Sequence, residues 1–174
     1  QDERVFKELF LQTDDSRPES LVSVPYRWKA QSPLYQIDLN GDGLLESVAF
    51  AKRDTEAWIN LYDYQQRLMF SQSLTARGKS SWAYRMDVKQ LSPRTKVMVV
   101  YFYEGFSEHV KFFASSRLYL ITLDDGDFGT LRLTAGPVFW DETYELSAHY
   151  HRREYRVECR DLNGDGVKEL SLRF

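Results

Sequence analysis

The sequence predicts a mainly β fold, built of antiparallel four-stranded meanders that start about three times, with a short helix at the N-terminus. Three observations predict it. Runs rich in β-branched and aromatic residues follow one another at hairpin distances. The string DLNGDG occurs twice, at residues 38–43 and 161–166, each time between two such runs. The composition is that of a folded chain, with 174 residues, 15% aromatic and 28% charged. A net charge of −3 points away from nucleic acid and from a polybasic membrane anchor.

The elements follow in order. Val5, Phe6, Leu9 and Phe10 have helical spacing, beside Glu3 and Lys7. They predict a short helix, followed by a polar link to Ser20 and then one β domain over residues 21–174. Its repeat-like units begin near residues 34, 82 and 155. In the first, LYQIDL enters the DLNGDG loop and LESVAFAK leaves it, and EAWINLYDY and RLMFSQSL complete the meander. In the second, WAYRMDV, KVMVVYFY, SRLYLITL and TLRLTAGPVF repeat that order, with a longer aromatic loop over residues 104–115. LDDGDFG reads as a hairpin turn. VMVVYFY is the longest apolar run and is far short of the ~20 residues that span a bilayer. It reads as a buried strand, and no transmembrane segment is expected. In the third unit, EYRVECR enters the second loop and KELSLRF leaves it.

The two loops carry the chemistry. Counting from the first Asp, side-chain oxygens fall at positions 1, 3, 5 and 9: Asp38, Asn40, Asp42 and Glu46, then Asp161, Asn163, Asp165 and Glu169. Position 7, Leu44 or Val167, offers only its backbone carbonyl. Gly43 and Gly166 stand at position 6, where a sharp turn needs freedom in φ. Ca²⁺ takes six to eight oxygens in flexible geometry, which these groups with water would supply. Zn²⁺ is disfavoured because neither loop carries His or Cys, and Mg²⁺ because it holds its water shell. The helical calcium loop closes with Glu at position 12, and here that position is Ala49 or Leu172. These loops therefore join strands. A bare turn explains Asn-Gly and Asp-Gly, but it does not require acids at 1, 5 and 9, which repel one another without a cation. Two Ca²⁺ sites are expected. Laying Asp38 on Asp87 without a gap gives a decayed middle copy, with Lys89, Leu91 and Thr95 in the ligand positions. It should hold no metal, with Lys89 supplying the missing positive charge.

A D-x-N-x-D-G-x-x-E loop between strands resembles the FG-GAP or VCBS repeats, the blades of integrin-α-like propellers. The resemblance implies a propeller-like stack of about three units and a structural role for calcium. It also implies a secreted, periplasmic or cell-surface binding module. A chain starting at Gln1 without an apolar leader fits a mature exported form or a trimmed one. Closure could come from Leu21–Trp28 pairing with the C-terminal strands, from a dimer, or from an open or β-sandwich arrangement.

Other residues have plainer readings. His149 and His151 share one strand face, but no third ligand converges on them, and surface or packing roles are expected for them and for His109. Cys159, the single cysteine, alternates with Tyr155 and Val157 as a small buried hydrophobe. The aromatic loop at Tyr103–Phe113 is either a partner- or glycan-binding surface or part of the core. No nucleophile elbow, phosphate loop or Cys-His signature is present. The expected function is a non-catalytic, calcium-stabilised binding or structural module. The alternatives are a hydrolase of glycans or lipids on the same scaffold, or a subunit of a larger surface assembly.

Overall fold

The computed structural model describes residues 22–24, 34–53, 56–74, 80–108, 111–145 and 149–173. The chain is mainly β, as expected, and every described element is a strand. The helix expected in residues 1–20 lies outside the described residues.

Three antiparallel sheets follow in chain order. The first has the order β1–β2–β3–β4–β5, comprising Val22–Val24, Leu34–Ile37, Glu46–Arg53, Glu56–Tyr62 and Leu68–Leu74. The second has the order β6–β7–β8–β9–β10, comprising Ser80–Gln90, Thr95–Glu108, Lys111–Asp124, Asp127–Glu145 and His149–Glu154. The third is the hairpin of β11, Arg156–Arg160, and β12, Glu169–Arg173.

Sequence periodicity decides how they stack. On β7 the side chains alternate between two faces. Met98, Val100 and Phe102 join Val48, Phe50, Ile59 and Leu61 of the first sheet in one buried cluster. Val97, Val99, Tyr101 and Tyr103 join Phe139 and Trp140 in a second cluster, against which Tyr155, Val157, Leu170 and Leu172 pack. The central sheet is thus covered on both faces, which is why its β7 reads as an uninterrupted apolar run. Phe50 meets Phe102 across the first interface at a centroid distance of 6.0 Å. Phe102 stands edge-on to Tyr119 at 5.6 Å, within the range where aromatic pairs add to simple burial.

Three expectations change. The long loop at 104–115 is a hairpin instead: β7 runs to Glu108, β8 starts at Lys111, and Phe106 pairs with Phe113. Phe112 packs against the second cluster, so the core reading holds for this residue. The expected fourth strand of this unit is longer and is followed by a fifth, with His149 and His151 of β10 pairing with Glu145 and Thr143. Val22–Val24 pair with β2, Val22 opposite Gln36, and not with the C-terminal strands. LDDGDFG is a tight turn, as expected, with Asp125 and Gly126 both at positive φ, 53° and 69°.

Candidate functional site

Each DLNGDG loop links two adjacent antiparallel strands, 38–45 between β2 and β3 and 161–168 between β11 and β12. Both fold by the same internal wiring. Asp38 accepts the N–H groups of Gly41, Asp42 and Gly43 at 2.7, 3.1 and 2.9 Å. Asp161 accepts those of Gly164 and Gly166 at 2.6 and 2.8 Å. Asn40 and Asn163 each accept the N–H two residues on and donate to the side chain of Asp42 or Asp165. Asp42 and Asp165 accept the N–H of Leu44 and Val167. Glu46 and Glu169, the first residues of their strands, reach back to the N–H of Leu39 and Leu162, both at 2.8 Å. The wrap requires left-handed backbone at position 6, where Gly43 and Gly166 have φ of 85° and 86°.

Electrostatics separates the two loops. In the second, ligand oxygens of Asp161, Asp165 and Glu169 lie within 4.8 Å of one another. No cationic side chain is paired with them among the described residues. The N–H groups of Gly166, Gly164, Asp165 and Asn163 hold the Asp161 carboxyl below its ordinary range, so it is charged at neutral pH. In the first loop the three acids do not gather as closely. Asp38 is again held low, chiefly by the Gly43 N–H, and the charge of Lys96 adds to the effect. Glu46 is buried, at 2% exposure. Burial pushes its carboxyl up, and the charges of Asp42 and Asp38 push the same way. Both donor sets fit a hard cation by chemistry, being carboxylates and amide oxygens only. The second alone combines that donor set with close convergence.

Both loops are tied to the central sheet. The Lys96 ammonium donates to the Leu39 carbonyl at 2.8 Å. Gly126 faces Asn40 so closely that an added Cβ would lie 3.2 Å from the Asn40 Cβ. On the other side, the Lys168 N–H donates to the Leu91 carbonyl at 2.8 Å. The first loop thus meets the central sheet at Lys96 and Gly126, and the second meets it at the 91–94 turn.

That middle turn corrects the gapless overlay. It spans 91–94 where the loops span 38–45 and 161–168, four residues fewer. Asp87 is therefore no loop residue. It lies inside β6 opposite Val99 and is buried at 2% exposure. Lys89 does not supply its counter-charge. Arg85 does, through two hydrogen bonds of 3.2 and 2.8 Å, with its guanidinium 4.9 Å from the centre of the Tyr101 ring. Sequence reasoning missed this cluster. Its signal was two opposite charges two residues apart, on one face of a strand that is otherwise largely apolar or aromatic. Comparison of the chain with protein-family models, curated proteins and solved structures returns no match, and the FG-GAP or VCBS likeness rests on the two loops alone.

Proposed function

We propose that this chain is a calcium-stabilised binding or structural module that works outside the cytoplasm and performs no catalysis. The observation that carries the reading is the convergence of Asp161, Asp165 and Glu169 in an exposed loop, without a paired side-chain cation among the described residues. Three carboxylates so placed repel one another, and a divalent cation turns that repulsion into attraction. Asp161, Asn163, Asp165, the Val167 carbonyl and Glu169 would hold it, and Asp38, Asn40, Asp42, the Leu44 carbonyl and Glu46 would hold a second. The cation's contribution is mechanical, because it fixes the connection between two strands. Exposed loops of this kind belong with the weak sites of extracellular modules, at about 10⁻⁴–10⁻³ M, a concentration of calcium found outside cells.

Thermal melting with calcium and with chelator tests this. A ligand that binds only the folded state adds about 2.7 kcal/mol at a hundred times its Kd, so the melting temperature should rise by several degrees. Metal analysis should return two Ca²⁺ per chain, and one for Asp165→Asn. An unchanged melting temperature together with no bound metal overturns the proposal.

A further inference from the structure

Between β6–β7 and the β11–β12 hairpin lies a cavity of about 330 Å³, at the small end of the ~300–1,000 Å³ typical of small-molecule sites. Its charged lining is Arg85, Asp87, Lys89 and Lys168, three cations against one carboxylate. None of the second loop's acids lines it. Asp87 is already engaged by Arg85 through two hydrogen bonds. The excess positive charge is therefore carried by Lys89, which is half-buried, and Lys168, which is exposed. Neither ammonium has an ion-pair partner among the described residues. The rest of the lining is mixed: Gln90, Tyr101 and Cys159 stand beside an aliphatic strip of Val99, Val157 and Leu170.

We propose that this cavity binds a small organic anion, a carboxylate with a short apolar portion. The two ammoniums supply charge-assisted donors for the carboxylate. The Arg85–Asp87 pair, with Asp87 buried and the half-buried Arg85 over the Tyr101 ring, keeps the floor rigid and polar. The aliphatic wall takes the rest of the ligand. Inorganic phosphate shares the charge but has nothing for that wall, so it should bind more weakly.

The site carries its own reporter. Cys159, the single thiol of the chain, lines the same cavity. Its thiolate displaces iodide from iodoacetate, an anion, and from the neutral iodoacetamide. The ratio of the two alkylation rates measures how strongly the cavity attracts negative charge. In the folded protein this ratio should exceed that of the urea-unfolded chain by at least about threefold. Lys89→Gln should lower it toward the unfolded value, Lys89→Arg should restore it, and Lys52→Gln on the first sheet should leave it unchanged. Hexanoate should protect the thiol from iodoacetamide, hexanol should not, and phosphate should protect only weakly. A thiol that neither reagent reaches overturns the proposal. So does a ratio equal to that of the unfolded chain, a ratio indifferent to Lys89→Gln, or equal protection by hexanol.

Discussion

Asp87, Arg85 and Tyr101 form a small charged and aromatic cluster, with Asp87 and Tyr101 buried in the central sheet. Its chemistry yields a pH dependence. Burial pushes the Tyr101 phenol up to about 12, and the charge of Asp87 and a hydrogen bond to it work in the same direction, against the Arg85 guanidinium. In the unfolded chain a tyrosine ionises near ~10. The folded state therefore holds this proton more tightly than the unfolded state. Its contribution to stability is complete below about pH 10 and is lost as pH rises from about 10 toward 12. Melting temperatures measured across that window should fall, and Tyr101→Phe should flatten the fall. A Tyr101→Phe profile identical to that of the parent protein would refute the assignment. At this scale the loop acids were legible, because position 1, 3, 5 and 9 chemistry is written in consecutive letters. Asp87 was misplaced because a gapless overlay cannot register a turn that is four residues shorter.

Strands were the most legible elements, since period-2 burial imposes period-2 hydrophobicity; β8 alternates almost throughout its length. Their ends were less so. Polar residues such as Glu104 and Ser115 look like loop in sequence, yet they continue the β7–β8 ladder, where backbone pairing and not side-chain apolarity decides. Irregularity in β9 was invisible. Its pairing with β8 shifts register near Arg117, and there Gly136 lies against the neighbouring strand. A Cβ at this position would sit 2.9 Å from the Leu118 carbonyl oxygen and 3.0 Å from the Leu118 Cβ. The nearest atom is backbone and cannot rotate away. Gly136→Ala should therefore cost about 1–3 kcal/mol, read as a lower urea midpoint with an unchanged slope. Full stability in that variant would mean that the bulge opens freely.

The three sheets differ in how much holds them to the molecule. The central sheet is buried from both sides and the first sheet shares its larger cluster, while β11–β12 is a two-stranded hairpin resting on one face. Two-stranded hairpins have little stability of their own. The hairpin therefore depends on its packing, on the Lys168–Leu91 hydrogen bond, and on its loop. On the proposed function, withdrawing calcium should accelerate amide exchange in residues 156–173 before it does so in β7 or β8. Uniform loss of protection across all strands would contradict this order. The sequence indicated three starts of strand-rich chain, but not how the sheets stack, because stacking depends on which face each strand turns toward its neighbour.

The two-sided central sheet also has a consequence for biogenesis. During synthesis the first sheet leaves the ribosome with the inward face of Val48, Phe50, Ile59 and Leu61 uncovered. Its cover, the Met98, Val100 and Phe102 row and the Tyr119 and Ile121 row behind it, is translated some fifty residues later. At ~5–20 residues per second, that greasy face stays open for several seconds. During that interval the exposed face is open to non-native association, and the opening closes once β8 has been made.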